Sequence, residues 1–453
     1  MRILLDQAVY DQRNKGNVAL LQAAVHRLME LWPDAEISVL TEAPYLLKLY
    51  CPKVQPVSVH PWHNYTEKRQ QFETFHRLIP ALVLQLLLDI REEMWHRYPD
   101  LMGGGGIRQR VKSLLGRGKP EVGAKAVPNP EEKVDGEEDD EDVNRDLEQA
   151  IQKADLVIAT GGGYLCDTDK QHTVQVFDTL EMAVKLGKRV AMVGQGVGPM
   201  YDAELRARLS MLLPRLDWIL IREPKTGREL MESLGVPPER VVMTGDDAVE
   251  MSYRARTEKF GDQIGVNLRF ARYTEVGQAY IEKIRGVLHR SARKHNARLM
   301  SLPISSNVRE ADLEVIRVLL KGYGKVSMSW RRFESPLSVI RKVGKCRLVV
   351  TGSYHPAVFA LSQGIPVVGL VKSQAYIDKF SALVDEFGPA CNLLNLDDPD
   401  LHEKLADAID AAWASAEGVR PHLLQAAARQ IEWNRAGYQL LFGLVNARIG
   451  SDC

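Results

Sequence analysis

Short runs of β-branched and aliphatic residues, each followed by a stretch of helical periodicity, recur along almost the whole 453-residue chain. This alternation is typical of βαβ units that share a parallel sheet. Runs of four apolar residues, such as 156–159 and 190–193, indicate strands that are buried on both faces. The sequence therefore predicts an α/β protein built on doubly wound parallel sheets.

The length of the chain predicts more than one domain, because a single hydrophobic core stops growing at about 250–300 residues. One series of strand-like runs starts at residues 3–5, and a second series starts near Ile264. Charged residues and glycines interrupt the apolar pattern at residues 251–261. We predict an N-terminal α/β domain of residues 1–255 and a C-terminal α/β domain of residues 256–453 that ends in helices, two Rossmann-like domains facing each other across a cleft.

A stretch of unusual composition interrupts the first domain at about residues 103–145. It contains four consecutive glycines, a basic patch at residues 108–119 and an acidic run at residues 137–142. Such a composition buries too little apolar surface to offset the entropy of ordering, which predicts a flexible insertion. Its charge blocks are explained either as solubilising surface or as a contact for a partner. The apolar stretch before it, residues 78–90, is too short to span a bilayer and favours a buried or interfacial helix.

Composition excludes several classes of protein. Lysine plus arginine equals aspartate plus glutamate at 59 each, so no net field indicates a nucleic-acid partner. The five cysteines are scattered without paired spacing, which argues against a disulfide framework and a zinc site and favours the reducing cytoplasm. The first residues read directly as a strand, with no pattern of an export signal. We predict no cofactor and no obligatory metal, since no metal-ligand spacing is visible.

Loops that directly follow strands carry the candidate ligand contacts, because open α/β sheets bind ligands beyond the carboxyl ends of their strands. Gly161, Gly162 and Gly163 follow one strand, and residues 194–199, with Gln195 and Gly196, follow the next. Glycines let backbone N–H groups approach an anion closely, but they also serve tight turns and packing. The sequence leaves both roles open.

The second domain contributes charged and titratable candidates. Asn267 and Arg269 alternate on an extended segment, so they share one face, where the arginine could clamp a carboxylate or a phosphate. His355 lies at a strand-to-helix turn, where the helix dipole tunes its pKa toward neutral pH, and it is the candidate general acid. Asp246 and Asp247, at the end of the first domain, fit either sugar hydroxyls or a turn.

Several of these motifs occur together in an order that resembles the polysaccharide pyruvyl transferase family, over nearly the whole chain outside the insertion. The matching residues are Asn14-Lys15-Gly16-Asn17, Gly161-Gly162-Gly163, residues 194–199, Ile221-Arg222-Glu223, residues 245–248, residues 265–269, His355 with Ala360, residues 364–368, and residues 376–379. The resemblance implies a fold like that of type B glycosyltransferases, phosphoenolpyruvate as donor, and pyruvate transferred as a ketal onto two hydroxyls of a sugar.

The same resemblance implies roles for individual residues. The donor anion would be held by Arg269 and Lys379, with Asn267, Gln195, Gly196, Ser353 and the glycines at 161–163 nearby. The acceptor, a glycan or a lipid-linked sugar, would meet Asn14, Asn17, Asp246 and Asp247. Peripheral membrane association and homo-oligomer formation stay open.

Two residues depart from the family pattern. Asn17 stands where the family usually has an acidic residue, and Ser353 stands where relatives carry an arginine two residues before the histidine. The second departure affects the expected donor site. Two rival functions follow, a glycosyltransferase of the same architecture that uses a nucleotide sugar, and a non-catalytic relative that binds a glycan or an anion. A dinucleotide oxidoreductase is disfavoured, because no glycine-rich dinucleotide turn follows the first strand.

Overall fold

The computed structural model describes residues 1–7, 9–59, 137–223, 226–269, 276, 278–307, 312–328 and 334–449. The chain divides into one unit of residues 1–57 and 147–453, which holds both sheets, and a second unit of residues 58–146. In the second unit the described residues are 58–59 and the helical residues 137–146. The apolar stretch 78–90 and most of the predicted insertion, residues 103–136, lie outside the described residues.

The strands are β1 (Arg2–Asp6), β2 (Glu36–Thr41), β3 (Gln55–Ser58), β4 (Leu156–Ala159), β5 (Gly162–Leu165), β6 (Arg189–Val197), β7 (Trp218–Ile221), β8 (Val241–Met243), β9 (Gln263–Asn267), β10 (Arg298–Ser301), β11 (Val326–Ser327), β12 (Cys346–Thr351), β13 (Val367–Val371) and β14 (Cys391–Asn395). The α-helices are α1 (Lys15–Leu31), α2 (Pro44–Tyr50), α3 (Glu137–Lys153), α4 (Lys170–Lys185), α5 (Ala203–Leu212), α6 (Thr226–Ser233), α7 (Ala248–Arg254), α8 (Gln278–Lys294), α9 (Asp312–Leu320), α10 (Pro336–Val343), α11 (Tyr354–Leu361), α12 (Gln374–Phe387) and α13 (Leu401–Ile449).

The first sheet has the strand order β3-β2-β1-β4-β6-β7-β8, and β5 pairs with β6 beside this path. Its recorded registers are parallel, as between β1 and β4, where Ile3 faces Leu156. The chain first adds strands on one side of β1 and then on the other, so the order reverses between β1 and β4. The carboxyl ends of these two strands, at Asp6 and Ala159, form the crevice where open α/β sheets bind ligands.

The second sheet has the order β11-β10-β9-β12-β13-β14 and is also parallel. Here the order reverses between β9 and β12, whose last residues, Asn267 and Thr351, are register partners. This reversal places the residues after β9 and those after β12 side by side. The predicted fold class, two Rossmann-like domains, is confirmed.

The last helix, α13, joins the two domains. Its first part packs against the second sheet through residues such as Leu405 and Ile409. Its last part carries Tyr438 and Leu441 into the core of the first sheet, against Leu220 of β7. The predicted C-terminal domain of residues 256–453 therefore ends in a segment that completes the core of the other sheet.

Helix α1 starts at Lys15, and its cap is Asn14, whose side-chain oxygen accepts from the amide of Gly16 at 3.0 Å. The acidic run at 137–142, expected in the flexible insertion, belongs instead to helix α3, which also contains the fully buried Ile151. Gly162 and Gly163, after β4, lie in strand β5.

None of the helices in the described part of the chain combines the length and the apolar character that crossing a bilayer needs.

The contribution of α13 to the first domain can be tested with two neighbouring leucines. Leu441 is fully buried, whereas Leu440 is 42% exposed. We expect Leu441→Ala to lower the free energy of unfolding by about 2–5 kcal/mol, because it leaves a cavity beneath the first sheet. Leu440→Ala should change it by less than about 0.5 kcal/mol. Denaturant unfolding measures both, and equal effects would contradict the packing described.

Candidate active site

The loop that precedes α1 is joined to the second domain by main-chain hydrogen bonds. The amide of Lys15 donates to the carbonyl of Ile304 at 2.9 Å, and the amide of Ser306 donates to the carbonyl of Arg13 at 3.0 Å. Asn14 and Ser305 form a β-bridge at the same place. One edge of the cleft is therefore closed by backbone pairing between the domains.

His355 fits against this loop because residue 16 is a glycine. A Cβ atom on Gly16 would lie 2.0 Å from Nδ1 of His355, far inside contact distance. Any larger residue would displace the imidazole. The glycine of the first loop thus makes room for a side chain of the other domain.

Two further glycines of the first domain make room for cations in the same way. A Cβ atom on Gly163 would lie 2.2 Å from Nζ of Lys379, and one on Gly196 would lie 2.2 Å from Nη2 of Arg222. By contrast, Gly161 faces the carbonyl oxygen of Gly194, and Gly162 faces the ring of Tyr164. We had expected these glycines at a ligand, but their space is taken by protein atoms.

Arg222, directly after β7, is the centre of the charged network. Its Nε donates to Glu223 at 2.9 Å, and its Nη1 donates to Asp246 at 3.2 Å. Its guanidinium carbon lies 4.4 Å from the ring centroid of Tyr354, so the cation stacks on a residue of the second domain. Nη2 is buried and has no hydrogen-bond partner among the residues that the structure describes. One donor of a fully buried guanidinium therefore remains for a ligand.

Asp246 and Asp247 serve this network and the last helix. Asp246 also accepts from the amide of Ala248 at 2.9 Å. Asp247 accepts from the side chains of Asn434 and Tyr438 on α13, and burial raises its pKa to about 7. Both aspartates are almost fully buried. We had assigned them to acceptor hydroxyls, but their partners are internal.

Asn267 and Arg269 are both held by Asp312, the first residue of α9. Nε of Arg269 donates to this carboxylate at 2.7 Å and Nη2 at 3.2 Å, which is a bidentate ion pair. The amide of Asn267 donates to Leu302 at 2.9 Å and to Asp312 at 3.3 Å. Asn267 is therefore a positioning residue, and Arg269 reaches the site with a fixed orientation.

Gln195 holds the carboxyl end of β4. Its amide nitrogen donates to the carbonyls of Ala159 at 3.0 Å and Thr160 at 2.8 Å, and its side chain is fully buried. We had expected it at the donor. Its hydrogen bonds instead fix the strand end at the crevice of the first sheet.

Ser353 and His355 stand at the start of α11. The hydroxyl of Ser353 and Nε2 of His355 are both buried, and within the described part of the chain neither has a hydrogen-bond partner. The amide of Ser353 donates to the hydroxyl of Thr351 at 2.9 Å, which fixes the turn. Two polar atoms without partners beside the positive end of a helix point to an anionic ligand.

The electrostatic environment keeps His355 neutral. Its pKa lies well below its ordinary value because the ring is buried, and because Arg222, Lys379 and Arg269 disfavour a further positive charge. We had expected the helix dipole to set a pKa near neutral pH. That prediction was wrong, since burial and three neighbouring cations act in the same direction as the dipole and lower the pKa much further.

Lys379 completes the cationic group. Its ammonium lies 5.8 Å from the ring centroids of both Tyr354 and Tyr376. Burial lowers its pKa, and the charge of Arg222 lowers it further. The ammonium forms no hydrogen bond or ion pair with any residue in the described ranges. It is therefore available to a ligand.

Sequence reasoning missed two residues that the structure places in this group. Arg222 entered only through the family motif, although an Arg-Glu pair directly after an apolar strand could have indicated a buried ion pair. Asp312 gave no signal beyond its place before an apolar helical run. Asn17 is partly exposed in the first turn of α1, and its contact with the acceptor stays a prediction. Within the described ranges, no three histidine, cysteine or acidic side chains are grouped as metal ligands.

The two Rossmann-like domains have the glycosyltransferase-B architecture and place a histidine and three cations between their sheets. The family model of the polysaccharide pyruvyl transferases matches residues 14–373. The chain therefore belongs to the polysaccharide pyruvyl transferase family, whose members are transferases acting on a glycan acceptor and a donor.

Proteins with other activities have solved structures of similar fold. A putative UDP-N-acetylglucosamine 2-epimerase from Listeria monocytogenes has a TM-score of 0.56 at 10% identity, covering 99% of this chain and 96% of its own. A UDP-GlcNAc 2-epimerase from Neisseria meningitidis bound to UDP-GlcNAc gives 0.51 at 12%, covering 96% and 99%. The glycotransferase of kitacinnamycin gives 0.50 at 11%, covering 97% and 98%. At these identities the likeness shows a shared fold. Comparison with curated protein sequences gave no significant match.

The electrostatic origin of the neutral His355 can be tested by NMR titration of its ring. Replacing Lys379 with methionine removes a neighbouring positive charge, so the pKa of His355 should rise toward its ordinary value. Lys404→Met is the matched control, because Lys404 pairs with Asp398 away from the site. An unchanged titration in Lys379→Met would show that the ammonium does not act on the imidazole.

Proposed function

We propose that this protein transfers the pyruvyl group of phosphoenolpyruvate to two hydroxyls of a glycan or lipid-linked sugar, forming a ketal and releasing phosphate. The observation that carries the proposal is the environment of His355, whose unpartnered Nε2 lies among Arg222, Lys379 and Arg269. Three cations around one neutral imidazole suit a small ligand with several negative charges. Phosphoenolpyruvate carries both a phosphate and a carboxylate.

The start of α11 is the proposed phosphate site. The hydroxyl of Ser353 and the helix dipole face the same space, and Arg222 offers its unpartnered Nη2 from the opposite domain. Relatives carry an arginine at the position of Ser353. In this arrangement the guanidinium of Arg222 makes the corresponding contact with the anion. Ser353 leaves room for the phosphate. Lys379 and Arg269 then face the carboxylate.

Donor binding supplies the proton that the reaction needs. The anionic groups of the donor offset the three cations, so the pKa of His355 rises and the imidazole takes up a proton. The imidazolium protonates the methylene carbon of the donor, which leaves an oxocarbenium-like centre at the neighbouring carbon. A sugar hydroxyl attacks that centre, phosphate departs, and the second hydroxyl closes the ketal. The imidazole of His355 is therefore protonated only when the donor is bound. The free protein does not hold a charged histidine beside three cations.

The cellular setting is part of the same proposal. Within the described part of the chain, Cys51, Cys346 and Cys391 are buried free thiols, which fits the reducing cytoplasm expected from the sequence.

The central test is phosphate release from phosphoenolpyruvate with a panel of methyl hexopyranosides and lipid-linked sugars. We expect acceptor-dependent release in the unaltered protein and a loss of at least about 100-fold in His355→Gln, because general acid catalysis contributes roughly 10²–10⁴-fold. Donor binding, measured by calorimetry, should persist in this variant and lose its proton uptake.

The control for this test is His295→Gln, which removes another partly buried histidine, directly after α8 and paired with Asp410 of α13. It should leave release unchanged. Donor binding that requires a nucleotide sugar in place of phosphoenolpyruvate would favour the glycosyltransferase alternative. Acceptor binding without turnover of any donor would favour the binding-only alternative.

The glycine at position 163 provides a second test. Gly163→Ala places a methyl group where the ammonium of Lys379 lies, and this flexible end can move away at little cost to folding. We expect donor affinity to fall roughly 10- to 100-fold, since a hydrogen bond to a charged group contributes about 1.5–3 kcal/mol, while the melting temperature hardly changes.

Gly324→Ala is the matched control, because a Cβ atom there meets nothing within 4 Å. Equal donor affinity in Gly163→Ala and the unaltered protein would remove Lys379 from the donor site.

A further inference from the structure

A histidine and an aspartate that the proposed donor site does not use lie at the start of α4. Nδ1 of His172 is 2.6 Å from Oδ1 of Asp169. Their side chains are 36% and 38% exposed, so the pair stands at the surface of the domain and not in its core. A histidine oriented by a carboxylate is the arrangement that general bases use.

The carboxylate of Asp169 is not needed to cap the helix. Asp169 occupies the N-cap position of α4, but its side chain accepts no hydrogen bond from the first amides of the helix. The side chain instead contacts the imidazole. The pair therefore does not have the usual structural function of an aspartate at this position.

The pair lies on the rim of the site that holds Lys379. The chain runs from Gly163, against which the ammonium of Lys379 packs, to Cys166, whose thiol donates to the carbonyl of Gly163 at 3.4 Å. Asp169 follows, and its charge acts on Lys379 as well as on His172. Asp169 is therefore close enough to act on both His172 and the ammonium of Lys379.

The rim differs in charge from the floor. Asp169 raises the pKa of His172 through their hydrogen bond, and Asp11 and Glu42 raise it further, whereas partial burial opposes them. Asp11 follows β1 and Glu42 follows β2, so both belong to the strand ends of the first sheet. The cations around His355 attract an anionic donor, whereas the negative charges of Asp169, Asp11 and Glu42 repel it and tolerate neutral hydroxyls. The charge distribution assigns the rim to the acceptor.

We propose that His172, oriented by Asp169, is the general base that takes the proton from the attacking sugar hydroxyl. With Nδ1–H directed at the carboxylate, the lone pair of the ring lies on Nε2, which forms no hydrogen bond with a residue in the described ranges. This assignment rests on the proposed pyruvyl transfer and adds the residue that activates the acceptor.

The step balances in protons and bonds. The hydroxyl oxygen bonds to the central carbon of the donor as its proton passes to Nε2 of His172, and the methylene carbon gains a proton from His355. The bond from that central carbon to the phosphate oxygen then breaks, and the second hydroxyl takes its place. Of the two hydroxyl protons released, one balances the proton gained by carbon, and the other leaves with phosphate.

The test compares His172→Gln and Asp169→Asn with His295→Gln as control. The control pair, His295 with Asp410, has the same 2.6 Å separation but lies between α8 and α13. Phosphoenolpyruvate binding is measured by calorimetry, and transfer is measured with a methyl hexopyranoside or lipid-linked sugar that the unaltered protein uses. We expect His172→Gln to bind the donor normally and to transfer at least about 100-fold more slowly. His295→Gln should match the unaltered protein in both.

The pH profile separates a base from a merely structural pair. A base must be neutral, so kcat/KM for the acceptor should fall as the pH drops through the raised pKa of His172. Asp169→Asn removes the largest cause of that rise, so the acidic limb should move to lower pH. Full transfer by His172→Gln, or an acidic limb that does not move in Asp169→Asn, overturns the assignment. Failure of the unaltered protein to bind phosphoenolpyruvate overturns the proposed function itself and is seen before any variant is compared.

Discussion

The buried guanidinium of Arg222 is the interaction on which the arrangement of the site depends. It is held by Glu223 and Asp246 of its own domain and stacks on Tyr354 of the other. Removing one partner of such a buried pair typically costs about 3–5 kcal/mol, because a charge is left without compensation. The pair itself is weak evidence for stability, so its value lies in fixing a cation beside the start of α11. Burial of the ring, together with the charges of Arg222, Lys379 and Arg269, keeps His355 neutral in the free protein.

The glycines of the first domain are best explained by this cationic group. Gly16, Gly163 and Gly196 are complementary in shape to His355, Lys379 and Arg222, respectively. Each glycine removes a side chain from one surface so that a functional side chain can occupy the space. The absence of side chains at these three glycines is therefore as necessary to the site as the groups that the first domain places there. The packing of Gly163 against Lys379 also couples the two domains sterically, since a methyl group at residue 163 would displace the ammonium of the second domain.

The fold followed from the sequence because strand and helix periodicities are local properties. The apolar runs 156–159 and 190–193 became β4 and the first part of β6. His355 and Arg269 follow strands, as the sequence indicated. The sequence did not indicate partners that are far away along the chain. Asp247, predicted at the acceptor, accepts from two side chains on α13. Gln195, predicted at the donor, donates to the end of β4.

The sequence by itself determined the class of fold, the strand ends that carry the site and the family of the protein, because each is recorded in short patterns and their order. Only the tertiary structure decided which glycine faces which side chain, that Arg222 reaches across to the second domain, and that the pKa of His355 is depressed. These properties depend on distances between residues that are remote in the chain, such as Gly16 and His355. Burial and Coulomb interactions act through space, so no local pattern in the sequence specifies them.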